Sequence, residues 1–338
     1  MGSFHLLVRK SGSLTVFTTP LSGKNIFHRT LTISSPFYKK KRTEYENIDL
    51  PKYGKVVDYL TSGKGTPGRP KPFEEDGAEC QNKLPARKAG AKLLKNWIPL
   101  MNPRKSSQHQ ETHQGLPLQI ALQKNNWASV TSVLHQTMPA EQAFYLERWK
   151  ERMILKLGKE GFEEYVTDTF QKGKSFHAAM EALLLAKGNV GKGQAEDTSI
   201  SGYVMSVRHV LQDITRVRAL ESAVQHEALC YQGLTDCIAD YRGQLCLIDW
   251  KTSEKPKPFL QNTYDNPLQI AAYIGAINHD RNYEFQVNCG LLVVAYKDGS
   301  PAHSHFMSFE LCSQYWDKWL LRLEEFKEKG KDKATQII

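Results

Sequence analysis

The sequence predicts an α/β fold: a mixed central β-sheet flanked by helices, with an N-terminal helical extension. After residue 117, helical patterns come first and are followed by three strands, a helix, a strand, a partner strand and a closing helix. The chain has 338 residues, 40% of them hydrophobic, so it can bury a substantial core. Its longest apolar run, at 289–296, is rich in β-branched residues and too short to cross a bilayer.

Residues 1–43 have the composition of a mitochondrial transit peptide, with eight Lys or Arg, many Ser and Thr, and no Asp or Glu. The alternative is a disordered basic arm that binds nucleic acid directly. The amphipathic stretches FHLLVRK and NIFHRTL favour the transit peptide. Both interpretations leave this segment outside the fold, and the first predicts a protein of the mitochondrial matrix.

Residues 44–115 are predicted to form a linker with an accessory basic segment. Gly and Pro are frequent at 63–77 and the stretch 102–115 is polar, as is typical of linkers. Between them, the pattern at 86–101 favours a short basic amphipathic helix. The boundaries that follow are 116–330 for the main domain and 331–338 for a tail.

The first part of the main domain is predicted to be helical. The stretch LQIALQKNNW at 118–127 indicates a helix, and 129–134 is a short β-branched run. Apolar residues at helical spacing, Trp149 among them, predict a helix over 140–158 whose apolar side packs in the core. Further helices are predicted at 162–170, 175–186 and 201–214, with a Gly-rich break at 188–194.

The second part is predicted to carry the sheet. Three strands are expected first, at about 219–230, 233–241 and 244–251. A helix begins at Asn266-Pro267, because proline is favoured in the first turn of a helix, and it runs to about residue 277. The chain then continues through a strand at 285–296, a partner strand within 302–311 and an amphipathic helix over 315–329.

Composition excludes some classes of protein. The net charge of +9 and the pI near 9.1 suit a polyanionic partner without identifying it. The six cysteines are scattered without a CxxC pair, so they are predicted to be reduced core residues, and an iron–sulfur cluster or zinc ribbon is not expected. Neither a membrane nor a small-molecule cofactor is an expected partner.

Charged residues stand at the end of an apolar strand in LCLIDWKTSE, at 245–254. Because side chains alternate along a strand, Asp249 and Lys251 share a face with the leucines before them. A β-hairpin that turns at Arg242-Gly243 would place Asp236 directly opposite Asp249, with Cβ atoms about 5 Å apart. Two ionised carboxylates this close repel each other unless a cation lies between them.

Two interpretations of these charges are open. A salt bridge explains Asp249 and Lys251 but leaves Asp236 unpaired, whereas a metal site explains all three residues. Carboxylate oxygens suit Mg²⁺, which keeps several waters and accepts phosphate oxygens as further ligands. Lys251 would then reach the attacking water or the scissile phosphate of a phosphodiester. We favour the metal site.

Four short motifs, taken in order, resemble the RecB-like branch of the PD-(D/E)XK nucleases: Gly173-x-x-x-His177, Gly233-x-x-Asp236, Asp249-Trp250-Lys251 and Gln269-x-x-x-Tyr273. The resemblance covers about 130 to 300 and implies a PD-(D/E)XK nuclease core within 116–330. It implies Mg²⁺-dependent exonuclease hydrolysis of DNA at single-stranded ends and flaps, with Mn²⁺ as an alternative ion that suits imidazole better. The mitochondrial replication machinery is a candidate partner.

The resemblance also implies a role for each matching residue. Asp236 and Asp249 would bind the metal, His177 would point toward it from a helix, and the carbonyl of Trp250 would add a ligand. Lys251 would be the catalytic lysine.

Two further acids stay open as members of the acidic cluster. Glu181 lies one turn beyond His177 on the same helix face, and Glu221 begins the first strand of the sheet. Either could complete the cluster, and both could equally be ordinary solvated acids.

Contacts with nucleic acid are implied next to these groups. Gln269 and Tyr273, at positions i and i+4 of one helix face, would position the nucleic-acid backbone or the active-site loop. The loop after the lysine offers donors and charges that suit phosphates, and a solvated basic turn is the alternative interpretation. Its candidate residues are Thr252, Ser253, Lys255 and Lys257.

Two other functions remain open alongside the exonuclease. A structure-specific flap endonuclease on the same core would cut circular single-stranded DNA, which has no ends. A non-catalytic nucleic-acid-binding module would bind DNA without turnover.

Overall fold

The computed structural model describes residues 7–8, 14–15, 52–53, 55, 97–105, 116–186 and 198–335. Most of the predicted transit peptide, most of the linker and the Gly-rich break at 188–194 lie outside the described residues. The basic helix predicted at 86–101 is described only at 97–101, and these residues are not helical. The chain divides into two compact units, residues 1–73 and 74–338. In the first, a short antiparallel pair joins β1 (Leu7–Val8) to β2 (Leu14–Thr15).

The second unit contains the α/β domain. Its elements in chain order are β3 (Ala128–Ser129), α1 (Val130–Gln136), α2 (Ala140–Ala186), α3 (Ser201–Gln212), β4 (Ile214–His226), β5 (Tyr231–Tyr241), β6 (Gln244–Ser253), α4 (Asn266–His279), β7 (Cys289–Tyr296), β8 (His303–Met307) and α5 (Phe309–Thr335). Short 3₁₀ helices lie at Glu227–Leu229 and Leu260–Thr263. Within the described residues, no helix has the length and apolarity that a membrane span requires.

A mixed six-stranded sheet forms the centre of this domain, as predicted. The strand order is β3-β5-β6-β7-β8, and β4 pairs with β5. β5 is antiparallel to β4 and β6, whereas β6 and β7 run parallel and β8 returns antiparallel to β7. The β5–β6 hairpin turns at Arg242 and Gly243, which both have positive φ, as a two-residue hairpin turn requires.

Both faces of the sheet are covered by helices. One hydrophobic cluster lies on the side of α4 and α5, and the other lies on the side of α2 and α3. The predicted alternation along β6 is confirmed: Leu245 and Leu247 belong to the first cluster, and Cys246, Ile248 and Trp250 belong to the second. This two-sided burial is typical of a sheet that contains parallel strands.

The prediction of a helix at 118–127 is wrong. This stretch runs extended beside β4: the Leu118 amide donates to the Arg218 carbonyl at 2.8 Å, and the Leu118 carbonyl accepts from the Leu220 amide at 3.0 Å. The extended segment therefore provides hydrogen-bond partners for backbone groups of β4. A helix of about ten residues with a weak apolar pattern is only marginally stable and would not provide them.

Two other boundaries also differ from the sequence interpretation. The β-branched run at 129–134 forms most of α1, which Ser129 caps by accepting a hydrogen bond from the Ser132 amide. Ile214, the last residue of the helix predicted at 201–214, instead begins β4. At the start of α1 a helix cap, and at the start of β4 a strand pairing, outweighs the weak intrinsic propensity of these residues.

Helix α2 is bent sharply at Gly158, where φ is 75° and ψ is 170°. The ring centroids of Trp149 and Phe162 lie only 5.9 Å apart, whereas thirteen residues of straight helix would separate them by about 20 Å. The residues before Gly158 therefore fold back over those after it, and we call them the first and second arms of α2. Trp149, expected to pack in the core, is 37% exposed.

Residues 97–105, predicted to belong to the linker, pack against α4 and α5. The Trp316 indole donates to the Ile98 carbonyl at 2.7 Å. Lys105 Nζ donates to the carbonyls of Ile277 and Asp280 at the end of α4, at 2.8 and 2.7 Å. A cation at this position satisfies terminal carbonyls and opposes the negative end of the helix dipole.

The stacked histidines His226 and His279 should each contribute a loss of stability to the second unit as the pH falls below about 6.5. The His226 and His279 rings stack at 4.6 Å. Burial and the neighbouring His279 lower the pKa of His226 to about 3, while burial and Lys105 lower that of His279 to about 4. The unfolded chain therefore takes up protons at these two positions before the folded chain does, which lowers the free energy of unfolding.

Urea unfolding measured between pH 7.5 and pH 5 tests this expectation. Relative to the unchanged protein, His226→Phe should lose less free energy of unfolding between pH 7.5 and pH 5, because one of the two histidines is gone. The raised pKa of Glu221 acts in the opposite direction, but it does so in both proteins and cancels in this comparison. An equal loss in the two proteins would contradict the assignment.

Candidate active site

The β5–β6 hairpin brings the predicted acids together in an unexpected way. The two strands pair in the predicted register from the Tyr241–Gln244 pair next to the turn to the Cys237–Ile248 pair, where the hydrogen-bonded ladder ends. Asp236 and Asp249 therefore do not form a regular cross-strand pair. Instead, the Trp250 amide donates to Asp236 Oδ2 at 2.8 Å, so the carboxylate takes the place of a backbone acceptor. This bond holds Asp236 in one orientation.

The neighbouring strand β4 brings a second acid to the same place. Leu220 pairs with Cys237 and Ser222 with Thr235, so Glu221 lies opposite Asp236. Glu221 has a φ of 39°, a left-handed conformation that costs a non-glycine residue about 1–3 kcal/mol. Side chains change faces here: Leu220 packs on the α2 side of the sheet, whereas Val224 packs on the α4 side.

His177 approaches these acids from the second arm of α2. Its neighbours Phe176 and Met180 are buried in the core and hold that arm against the sheet. His177 Nδ1 lies 3.4 Å from Asp236 Oδ1 and 4.0 Å from Glu221 Oε1. One ligand atom from each of these three residues lies within 4.8 Å of the other two, and no other such trio occurs among the described residues.

The electrostatics of this trio suit a divalent cation. Burial and the charge of Asp236 raise the pKa of Glu221 to about 7. Burial also acts to raise the pKa of Asp236, but the hydrogen bond and charge of His177 hold it below its usual range. Two carboxylates and an imidazole that face one another form a donor set for Mg²⁺ or Mn²⁺, so the residues present fit the metal.

Asp249 and Lys251 form a separate ion pair beside the trio. Lys251 Nζ lies 2.5 Å from Asp249 Oδ2, and Asp249 is 1% exposed. Burial raises the pKa of Asp249 to about 6 against the attraction of Lys251. For Lys251, burial acts to lower the pKa, but the charges of Asp249 and Asp236 outweigh it and raise the pKa above its usual value. The Asp249–Lys251 salt bridge and the acidic cluster are thus both present. Asp236 is not left unpaired by this salt bridge, because His177 lies beside it.

Trp250 contributes its amide to the site, and its ring is buried in the α2-side core. The structure therefore explains why this residue lies between the two charged ones. Its indole anchors β6, while its amide orients Asp236. The ligand role of its carbonyl stays a prediction.

Gln269 and Tyr273 lie together behind the acidic strands. Gln269 Nε2 donates to the Tyr273 hydroxyl at 3.1 Å. The Tyr273 ring packs over Gly233, where an added Cβ would come within 2.3 Å of Tyr273 Cε1. Because Tyr273 is only 4% exposed, it is placed to support these strands, and a contact between it and nucleic acid stays a prediction.

The loop after β6 lines a cleft of about 580 Å³ between itself and both arms of α2, which we call the α2 cleft. Ser253 Oγ shapes the loop by accepting from the Lys255 amide and donating to its carbonyl. Lys251 lines an adjoining cleft that shares several residues with this one. All four predicted loop residues line the α2 cleft: Thr252, Ser253, Lys255 and Lys257.

Sequence reasoning did not choose between the two further acids, and the structure does. Glu221 belongs to the trio, whereas Glu181 Oε1 accepts a hydrogen bond from Gln119 at 2.6 Å. The available signal was the register of β4 against β5, which sets Glu221 opposite Asp236. Tyr264, which lines both clefts, was missed because no spacing distinguishes it.

Comparison with known proteins agrees with this geometry. Residues 146–337 match the model of the PD-(D/E)XK nuclease superfamily. Three relatives share the name mitochondrial genome maintenance exonuclease 1. The protein from Homo sapiens is 54% identical over 302 residues, covering 88% of each chain. Those from Xenopus tropicalis and Mus musculus are 53% and 52% identical and cover 88% and 87% of this chain, and 89% and 88% of their own.

Two motif glycines should respond differently to substitution by alanine. Gly233→Ala places a Cβ against the Tyr273 ring and should lower the free energy of unfolding by about 1–3 kcal/mol. Gly173→Ala is the control, because nothing lies within 4 Å of its added Cβ and alanine favours a helix. Equal effects in urea unfolding would show that the contact with Tyr273 does not constrain position 233.

Proposed function

This chain belongs to the PD-(D/E)XK nuclease superfamily, and on that premise we propose that it is a metal-dependent single-stranded DNA exonuclease. It hydrolyses phosphodiesters from free ends or flaps in the mitochondrial matrix, during maintenance of mitochondrial DNA. The observation that carries the proposal is the trio His177, Glu221 and Asp236 next to the Lys251–Asp249 pair. Relatives of similar length named as mitochondrial exonucleases and the acid-free leader support the compartment.

The metal would be held by His177, Glu221 and Asp236, with Asp249 and the Trp250 carbonyl as the further predicted ligands. A bound Mg²⁺ or Mn²⁺ supplies positive charge that stabilises the developing negative charge on the phosphate. The Trp250 amide keeps Asp236 oriented toward the site through its 2.8 Å bond. His177 is held in reach because its helix neighbours are buried.

Lys251 is the chain's own positive charge at the reacting phosphate. Its Nζ is fixed by Asp249 at 2.5 Å, at the end of a strand that is buried up to that point. A pre-oriented ammonium here binds a non-bridging phosphate oxygen and orients the attacking water, without reorganising during the reaction. Asp249 is therefore a positioning residue for Lys251 as well as a predicted ligand.

Incubation with end-labelled DNA tests the proposed activity. Linear and circular substrates, each single- and double-stranded, are compared with Mg²⁺ or with EDTA. Linear single strands should be shortened in Mg²⁺ only, whereas circular single strands should stay intact because they offer no end. Cutting of the circles would favour the flap endonuclease, and degradation in EDTA would refute metal dependence.

Substitution of the charged groups tests the assigned chemistry. Lys251→Ala and Asp236→Asn should each lower kcat by about 100-fold or more, since each removes a charge that acts on the transition state. Lys318→Ala is the control, because Lys318 packs over the Tyr315 ring on α5. If none of the proteins turns over DNA but all bind it, the chain is a non-catalytic binding module.

A further inference from the structure

Three side chains from the last two strands of the sheet hold one residue of the loop after β6. The Lys257 amide donates to the Tyr296 hydroxyl oxygen at 2.8 Å, and the Lys257 carbonyl lies 2.9 Å from His305 Nε2. The Tyr296 hydroxyl lies in turn 2.7 Å from His303 Nδ1. Tyr296 ends β7, and both histidines belong to β8, at one end of the strand order. We call these three side chains the β7–β8 clamp.

The residue that the clamp holds lies in a stiff part of the loop. Lys257 stands between Pro256 and Pro258. A proline has no amide proton, fixes its own φ and restricts the residue before it to extended conformations. The Lys257 amide is therefore the single backbone donor in 256–258, and the clamp binds this amide together with the carbonyl of the same residue. The backbone at Lys257 has little freedom left.

The donors and acceptors of the clamp match. A carbonyl can only accept, so His305 Nε2 carries a proton and donates it to Lys257. Burial lowers the pKa of His305, and the hydrogen bond to Lys257 only partly opposes this, so the ring is neutral at pH 7 and this is its one ring proton. The Tyr296 oxygen accepts from the Lys257 amide and has its own hydroxyl proton to donate to His303 Nδ1.

A fixed backbone at residue 257 also fixes where the lysine side chain begins. This side chain lines both the α2 cleft and the adjoining cleft that Lys251 lines. Its Nζ lies 5.0 Å from the centroid of the Tyr264 ring. A lysine loses rotamer freedom when it binds a ligand, so a side chain whose base is already held binds with a smaller loss of entropy.

The catalytic lysine does not depend on the clamp. Lys251 Nζ is fixed by Asp249 at 2.5 Å, and both residues belong to β6, which ends before the proline-flanked stretch. The charge at the reacting phosphate therefore has its own support. The charge of Lys257 has the clamp.

We propose that Tyr296, His303 and His305 are positioning residues of the nuclease reaction, which place the Lys257 ammonium where it binds a phosphate of the substrate. The inference rests on the proposed function. Loss of the clamp should raise KM, because Lys257 must then be ordered as the substrate binds, and should leave kcat nearly unchanged, because Lys251 keeps its place. A clamp that served stability alone would change the amount of folded protein and leave KM unaltered.

Hydrogen exchange of the free protein tests the clamp without any substrate. Because Pro256 and Pro258 have no amide, exchange over 256–258 reports the Lys257 amide alone. Tyr296→Phe keeps the ring and removes the acceptor, so this amide should exchange about 2- to 10-fold faster, the factor expected for the loss of one hydrogen bond. Unchanged exchange in Tyr296→Phe would overturn the proposal.

Steady-state kinetics on a linear single strand in Mg²⁺ test the consequence for the reaction. Tyr296→Phe and His305→Leu should each raise KM by about 2- to 10-fold, as one lost hydrogen bond implies, with a much smaller change in kcat. His305→Gln should restore KM, because its side-chain amide can donate to the Lys257 carbonyl. A lower kcat at constant KM would show a structural role and overturn the proposal.

Ser304→Ala is the matched control. Ser304 lies between the two histidines on β8 and is exposed, and side-chain alternation places it on the opposite face of the sheet. Its exchange at Lys257 and its KM should equal those of the unchanged protein. If His305→Leu does not fold, Tyr296→Phe carries the same test, because it removes only a hydroxyl group.

A double-mutant cycle tests whether the clamp acts through Lys257. Lys257→Ala keeps the backbone groups that the clamp binds and removes the charge, so adding Tyr296→Phe to it should raise KM no further. An equal effect of Tyr296→Phe in both backgrounds would refute this inference alone. If the unchanged protein does not degrade DNA, the proposed function is refuted, and the same cycle on DNA affinity in EDTA then decides whether the clamp places Lys257.

Discussion

The hydrogen bond from the Trp250 amide to the Asp236 carboxylate is the contact on which the site depends. A buried amide needs an acceptor, and at this position a side chain supplies it in place of the opposite strand. The β5–β6 ladder therefore ends without leaving the amide unsatisfied. One oxygen of Asp236 is used in the sheet, and the other faces His177. Because β5 and β6 separate here, the Asp236 carboxylate lies next to a well-packed core.

Strain and charge at the site are tolerated because the surrounding structure is large and buried on both faces. Glu221 and Tyr264 both adopt left-handed backbone conformations, and Asp249 carries its charge at 1% exposure. Remote contacts stabilise the elements that bear these groups. Partly buried Arg322 on α5, for example, donates to Asp265 at the start of α4 and to the Leu134 carbonyl in α1. Such anchors fix the walls of the clefts relative to the sheet.

The predictable parts of the fold are those governed by local rules. The β5–β6 register followed from a two-residue turn at Arg242 and Gly243, and the start of α4 followed from Pro267. The helix at 118–127 was wrong because the decisive hydrogen bonds come from β4, about a hundred residues away. The helices predicted to end at residue 158 and to begin at residue 162 agree with the break at Gly158. The fold-back of the first arm over the second was not predicted, since a glycine between two helical patterns does not set the angle between them.

The sequence by itself determined the class of fold, the strand that presents Asp249 and Lys251, and the set of polar residues from which a site could be built. The alternation of side chains along a strand and the residues favoured in turns depend on only a few neighbouring residues, so both can be recognised in the sequence. Only the tertiary structure decided that Asp236 bonds the Trp250 amide, that Glu221 rather than Glu181 joins His177, and that Trp149 and Tyr264 line one cleft. Those outcomes depend on backbone angles and long-range packing, in which each position is set by partners far away in the chain.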